Sequence, residues 1–424
     1  MQKLLFSRFL SLSVLLLIQF ASNAQELCDR TGISNGWMLD QTSAEIDRIT
    51  EACAATRAKY FRADFAWSDV QWNGVDEWNW NNIDRLVESA LSQDLELIGI
   101  LTYFPPWTDQ NADTIFWSNF VYEVGLRYIP QGIRVFEMWN EPNLSNFFPQ
   151  PNVEDYVQQI LIPGSNAIRK AAAELEVEIT VISGGLAPAA TDGINISQLD
   201  FVTGLYDFGA KDYFDALGQH PYCWPLAPDE ESDFNWFLKT EELRDVMLEN
   251  GDADKLIWGT EMGWPTHLGA TGVSEILQAQ YLSKSYDLWN DWEWTGPLIW
   301  YAYNNAGDNP SEPEDNFGLT DSNLNPKPSL NAFTNVIDNC LLDSNTQDDD
   351  NLTSVNIYPN PNHGEFFIDT GVTSFEISLM SPDGKQLLKV EDTSVIKISA
   401  FESGIYFLIY KEAGRSQVFK LLLF

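Results

Sequence analysis

Histidine, cysteine and cationic side chains are all scarce in this chain, and each shortage closes off a chemistry. Only 3 His occur in 424 residues, and none stands in a His-Glu-x-x-His pattern, which argues against a zinc hydrolase. The 4 Cys form no Cys-x-x-Cys or Cys/His cluster, so neither metal nor cofactor is expected. No phosphate-cradling glycine loop appears, and no Gly-x-Ser-x-Gly elbow leads into a helical pattern, so a serine esterase is disfavoured. Lys and Arg number 24 against 62 Asp and Glu, a formal net charge of −38. A surface this acidic repels nucleic acid and anionic membranes. It also disfavours strongly anionic polysaccharides unless the cleft holds local cations.

Long apolar runs are missing too. The one candidate, Phe9–Phe20, is too short to span a bilayer with ease. Preceded by Lys3 and Arg8 and followed by the small residues Ser22-Asn23-Ala24, it reads as a signal peptide over residues 1–24. The mature chain is therefore expected outside the cytoplasm, without membrane insertion. In such a compartment four cysteines permit disulfides and allow three complete pairings. A Cys28–Cys340 bond, tying the two ends of a large domain together, is the favoured one. Cys223 then stays free or structural.

What the chain does have is alternation. Eight short apolar runs read as strands: Ile33–Trp37, Tyr60–Phe65, Leu95–Leu101, Ile133–Trp139, Ile179–Gly184, Phe214–Gly218, Lys255–Gly259 and Pro297–Tyr301. Between them lie segments with apolar residues at three- and four-residue spacing, such as Ile83–Ser92, Trp117–Tyr128, Tyr156–Leu175, Phe234–Glu249 and Ala279–Asn290. Eight strand–helix repeats over residues 25–340 predict an α/β (β/α)8 TIM barrel. A doubly wound open sheet is disfavoured, because no glycine-rich fingerprint follows an early strand. Residues 341–354 read as an acidic linker. From 355 to 424 the pattern changes to short alternating strands with turn signals such as Pro382-Asp383-Gly384, and no Trp follows Trp300. That predicts a small all-β sandwich. Its eight acids and six bases leave it nearly neutral, so the acidity belongs to the barrel and linker.

Two glutamates stand out. Glu141 ends the fourth run in Trp139-Asn140-Glu141-Pro142, and Glu261 follows the seventh in Trp258-Gly259-Thr260-Glu261-Met262-Gly263-Trp264. Strands four and seven lie nearly opposite in an eight-stranded barrel, so their carboxyl ends face each other across its mouth. A pair of carboxyls facing across an aromatic-walled cleft is the equipment of glycoside hydrolysis, one as acid and the other as nucleophile or base. Arg62, His220, Tyr222 and Trp300 fall at the ends of other strands. Tyr103, Trp107, Trp224 and Trp264 are candidates to line outer sugar subsites. For Trp300 the competing reading is packing, and for Arg62 it is an ordinary barrel-end ion pair.

These motifs resemble those of the clan A retaining glycoside hydrolases, and within that clan family 39 and its endo-acting relatives. The resemblance covers the whole barrel. It implies Glu141 as acid/base and Glu261 as nucleophile. It also implies substrate-binding roles for Arg62, Asn140, His220 and Tyr222, and a sugar platform at Trp300. The expected activity is endo-hydrolysis of a β-linked polysaccharide or oligosaccharide. A lectin or adhesin on a barrel that has lost catalysis is the alternative. The last 70 residues resemble something else. Val355-Asn356-Ile357-Tyr358-Pro359-Asn360-Pro361, Gly384-Lys385 and Gly404-Ile405-Tyr406-Phe407 look like a type A C-terminal sorting domain. That implies the type IX secretion machinery as a partner and removal of the domain during export. A carbohydrate-binding module is the weaker reading, since exposed Trp is absent.

Overall fold

The structure, a computed structural model, describes residues 27–108 and 114–344, and within 356–423 the strands and part of their connections. The expected signal peptide and most of the expected linker lie outside the described residues. The chain divides between Ser344 and Asn345 into two compact units.

In the first unit eight parallel strands close into a barrel in sequence order. They are β1 Thr31–Ser34, β2 Tyr60–Ala66, β3 Glu96–Thr102, β4 Val135–Asn140, β5 Thr180–Gly185, β6 Ala216–Gln219, β7 Leu256–Met262 and β8 Thr295–Tyr301. β1 pairs with β8 through Ile33 and Trp300 and so completes the ring. Eight helices of ten residues or more surround it: α1 Ser43–Ala55, α2 Asn81–Ser92, α3 Thr114–Tyr128, α4 Ile162–Glu174, α5 Gln198–Asp207, α6 Thr240–Glu249, α7 Glu275–Asp291 and α8 Pro328–Ser344. None of the described helices is long and apolar enough to cross a membrane. Cys28 is bonded to Cys340, joining the approach to β1 to the last helix, while Cys53 and Cys223 are buried and free.

Two expectations are corrected. The helical pattern of Phe234–Glu249 becomes helix only from Thr240, and Phe234–Lys239 is a connection at the cleft. The last helix runs to Ser344, four residues into the expected linker. Its apolar spacing through Phe333, Ile337 and Cys340 continues at Leu341, so the local signal had no reason to stop at 340.

Alternation along the strands sorts the barrel into layers. At the bottom, Tyr60, Ile98, Val135, Ile182, Ala216, Trp258 and Ile299 form one buried apolar cluster, one residue from each of seven strands. Two residues further along four of those strands the inward side chains turn polar, at Arg62, Glu137, Thr260 and Tyr301, and His220 joins them just past the end of β6. The outward-facing residues between them, such as Phe61, Phe65, Phe136, Met138 and Leu298, join the much larger core shared with the helices.

The second unit has two antiparallel sheets. One is β9 Asn356–Tyr358, β10 Glu365–Asp369 and β13 Val395–Lys397. The other is β11 Glu376–Met380, β12 Gln386–Glu391, β14 Gly404–Glu412 and β15 Arg415–Leu423. Phe366 and Ile368 from the first sheet and Ile377, Leu379, Leu408 and Tyr410 from the second share one core, which makes it a sandwich.

Candidate active site

Strand β2 supplies Arg62 and Asp64 to the inner face. Arg62 is fully buried, and all of its donors are engaged in one polar layer. Its Nε and Nη2 donate to Glu137 at 2.6 and 3.1 Å, Nη2 also to Asn140 Oδ1 at 3.0 Å, and Nη1 to Ser34 Oγ at 3.2 Å. Nη1 further donates to Glu261 Oε1. Glu137, on β4, is fully buried as well and accepts from Gly185 N (2.9 Å) and Thr260 Oγ1 (3.1 Å). Gly185 is required here: a Cβ at that position would meet His220, Glu137 and Thr260 at once.

Glu137 was missed from sequence, where it reads as one residue of an apolar run. The available signal was an acid on the inward face of β4 at the height of an inward arginine on β2. With Glu137 removed, the buried Arg62 charge keeps only Glu261 as an ionic partner, and breaking a buried pair in this way costs about 3–5 kcal/mol. Glu137→Ala is therefore expected to lower the barrel's unfolding free energy by about that amount. Denaturant titration checks this, and a stability equal to the parent's contradicts it.

The backbone bends where the carboxyls must be aimed. Trp139 (φ 86°) and Glu141 (φ 47°) both sit at positive φ, as does Tyr103 (φ 62°) after β3. Such conformations are costly for residues with a Cβ and cluster at functional sites. The bend turns the Trp139 indole outward against Trp117, Phe104 and Phe148 and leaves Asn140 pointing in at Arg62. On β7 the register with β8 shifts on both sides of Gly259. That irregularity lets Thr260 reach Glu137 while Glu261, its neighbour, lines the cleft.

The result is a compact constellation. His220 Nδ1 lies 2.9 Å from Glu141 Oε1 and 3.6 Å from Glu261 Oε2. One carboxyl oxygen from each glutamate and a ring nitrogen of His220 all fall within 4.8 Å of one another. Arg62 Nη2, which can only donate, faces His220 Nε2 at 3.4 Å. The ring thus bridges the Arg62 guanidinium, on its Nε2 side, and Glu141, on its Nδ1 side. Tyr222 OH donates to Glu261 Oε2 at 2.9 Å. Burial works against a charge on Glu261, but the attraction of His220 and Arg62 and the hydrogen bonds from Tyr222 and Arg62 outweigh it. They hold this carboxyl below its ordinary value. Glu141, His220 and Glu261 also have the donor set for a metal ion. Arg62 already supplies positive charge at that point, bonded to one carboxyl and facing the ring of the histidine.

Above the pair opens a cavity of about 920 Å³, with Asn140, Glu141, Tyr222 and Glu261 in its wall alongside Tyr103, Trp224, Phe234, Trp236, Tyr301 and Phe317. Its far wall is steadied by Lys327. Buried between the segments after β7 and β8, its ammonium donates to Asn305 Oδ1 (2.7 Å), Thr266 Oγ1 (3.1 Å) and the Asn316 carbonyl (3.2 Å). Burial without a directly bonded acid pulls its pKa down to about 8.

The structure does not bring every expected residue to the cleft. Trp300 is fully buried and lies nearly parallel to the equally buried Trp264, ring centroids 6.1 Å apart. Neither lines the cavity. The reason is the period of two: Ile299 and Tyr301 share the inner face of β8, so the ring at the mouth is Tyr301 and Trp300 points outward. Trp107 packs edge-on against Trp67 and Phe116, with its indole N–H on the Gln71 carbonyl, and is likewise absent from the cavity wall. Gly32-Ile33-Ser34-Asn35-Gly36 has the spelling of a serine elbow. Ser34 is nonetheless a fully buried strand residue that accepts from Arg62, and only a five-residue 3-10 turn follows it.

Residues 356–423 match the family model for the secretion system C-terminal sorting domain. The C-terminal unit is a sorting domain. As such it marks the chain for type IX secretion, to the cell surface or beyond. The sorting domain's match ends short of the barrel, whose likenesses are of another kind. A β-xylosidase of Geobacillus stearothermophilus is 22% identical over 294 residues, 61% of this chain and 55% of that protein. The chain thus spans about half the length of this curated relative. A family 39 glycoside hydrolase from the gut symbiont Bacteroides cellulosilyticus WH2 superposes with a TM-score of 0.56 at 17% identity, covering 87% of this chain and 81% of the other. A glucosidase from Croceicoccus marinus gives 0.59 at 10% identity, covering 93% and 95%. At these identities the likeness is one of fold: the barrel is of the kind glycoside hydrolases use.

Proposed function

We propose that this chain is a secreted retaining β-glycoside hydrolase, endo-acting on a β-linked polysaccharide. The observation that carries the reading is the approach of one Glu141 oxygen and one Glu261 oxygen to within 4.8 Å at a shared rim. A separation of about 5–5.5 Å between carboxyls suits direct attack, whereas about 6.5–9.5 Å leaves room for a water. The partners differ in the way the two roles require. Glu261 is gripped by Arg62 and Tyr222, which favour its charge, while among the described residues the Glu141 carboxyl pairs with His220.

In the first step Glu261 attacks the anomeric carbon as the glycosidic C–O bond breaks, and Glu141 gives its proton to the departing oxygen. The product is a glycosyl ester on Glu261. Glu141, now ionised, takes a proton from water, whose oxygen attacks the same carbon and releases Glu261. Asn140 Oδ1 is occupied by Arg62, so its amide N–H groups remain to donate to a sugar hydroxyl. Tyr301 forms the inner wall beside the reacting ring. Endo-action is supported by the cavity's extent, from Leu39 and Asp40 after β1 to Phe234 and Trp236 after β6. The named activities of the β-xylosidase and glucosidase relatives lie in the same class.

The test is reducing-sugar release from a panel of β-glucan, xylan and mannan, run with the parent, Glu141→Gln and Glu261→Ala proteins. Turnover by the parent alone, with sugar binding retained in both variants, supports hydrolysis. Binding without turnover in all three favours a lectin.

The acid limb of kcat/KM should report Glu261 in the free enzyme. Its folded pKa is depressed below the ordinary 4.5, so activity is present above that depressed value and lost as pH falls through it. Tyr222→Phe removes a hydrogen bond to the charged form, worth about 1.5–3 kcal/mol, and should move the limb up by about 1–2 pH units. An unmoved limb contradicts the assignment.

A further inference from the structure

Asp64 has no role in the mechanism above, yet it stands two residues beyond Arg62 on the same inward face of β2 and lines the cavity. It is half-buried, and its carboxyl makes no hydrogen bond with any described residue. A side chain at Gly36, across from it, would begin 3.6 Å from Asp64 Oδ2, so the glycine leaves this carboxyl open to the cleft. Burial pushes its pKa up to about 8. Arg62 opposes that shift, while the negative charge of Glu261, Glu137 and Asp69 adds to it. Near neutral pH the group therefore keeps its proton and is both a donor and an acceptor, the same pairing a sugar hydroxyl presents.

The ionisable side chains of the wall are all acids, and negative charge is contributed by members other than the protonated Asp64. Asp40, Asp64, Asp69, Glu141, Glu261 and Glu314 line the cavity, and no Lys, Arg or His does so among the described residues. The nearest cation, Arg62, lies beneath this wall, spent on Glu137 and Glu261. The local cations that an anionic polysaccharide would need are therefore not in the wall.

We propose that Asp64 is a specificity-determining residue: its carboxyl gives and takes a hydrogen bond with a hydroxyl of the bound sugar, and the acidic wall restricts the cleft to glycans without uronic acids. This rests on the glycosidase reading and deepens it. A uronate would meet uncompensated carboxylates in a partly desolvated site, where like charges repel strongly. A neutral sugar hydroxyl supplies the hydrogen-bond partner that the Asp64 carboxyl lacks among the described residues.

The probes are neutral and carboxymethylated forms of β-1,4-glucan, β-1,4-xylan and β-1,4-mannan. They are compared by kcat/KM and, with the corresponding oligosaccharides, by calorimetric affinity. The parent is expected to favour a neutral form over its carboxymethylated counterpart by about 30-fold or more at low salt, less at high salt. Asp64→Asn, which keeps a donor and an acceptor without charge, should stay within about 3-fold of the parent on the neutral form. Asp64→Ala should lose about 10–100-fold, mostly through KM and affinity. Thermal melts of both variants, with Asp64→Ser as a second truncation, separate folding from recognition. Equal use of both polymer forms, an alanine variant matching the parent, or an asparagine variant as impaired as alanine each overturns the proposal. Binding selectivity without turnover supports it while the hydrolase reading fails; absence of binding to every neutral form sinks both.

Discussion

Glu261→Ala is expected to lower polysaccharide turnover by about 10⁴–10⁶-fold, the scale seen when an enzyme loses its nucleophile. That corresponds to about 5–8 kcal/mol of lost transition-state stabilisation. The loss is selective for chemistry. Arg62 keeps Glu137 as its buried partner, so the barrel should fold and bind sugar. The vacated space sits beside the Arg62 guanidinium and the Tyr222 hydroxyl, two donors suited to a small anion. Sodium azide with a 2,4-dinitrophenyl β-glycoside should therefore restore turnover and yield the α-glycosyl azide. A β-azide would mark residue 261 as the acid/base instead.

Glu141→Ala is expected to behave differently, because the two steps need its proton to different degrees. On a polysaccharide, whose leaving group must be protonated, kcat should fall by about 10²–10⁴-fold. On the dinitrophenyl glycoside the first step needs no acid, so the glycosyl-enzyme forms and then accumulates. The signature is a burst of released phenol, a KM well below the parent's, and acceleration by azide to the β-azide. A burst-free variant with unchanged KM contradicts the assigned role. His220 links the two predictions. Its Nδ1 touches Glu141, and its Nε2 faces the same guanidinium that grips Glu261.

The barrel was legible because its signal is periodic. All eight apolar runs became strands within a few residues, and the glutamates that end the fourth and seventh stand at one rim. Alternation within a strand was less legible. Trp300 and Tyr301 are adjacent aromatics, and only the inward position of Ile299 tells which of them faces the mouth. The irregularity near Gly259 breaks the same rule in the other direction, bringing both Thr260 and Glu261 inward. No local pattern announces such a shift. Glu137 and Asp64 stayed hidden for a third reason. Each is an acid inside a strand, and its meaning depends on what tertiary structure brings near: the β2 arginine for Glu137, and burial beside Glu261 and Glu137 for Asp64. Trp264 and Trp107 were attractive as sugar platforms because indole rings suit sugars, but indole is also the largest apolar body a core can bury.

The most direct test of the central claim is the anomer first released by the parent enzyme, followed by proton NMR before mutarotation. Double displacement through Glu261 predicts the β-anomer first, with the α-anomer growing in later. Release of the α-anomer first would mean that water attacks in a single step, and the account of Glu261 as nucleophile would be wrong.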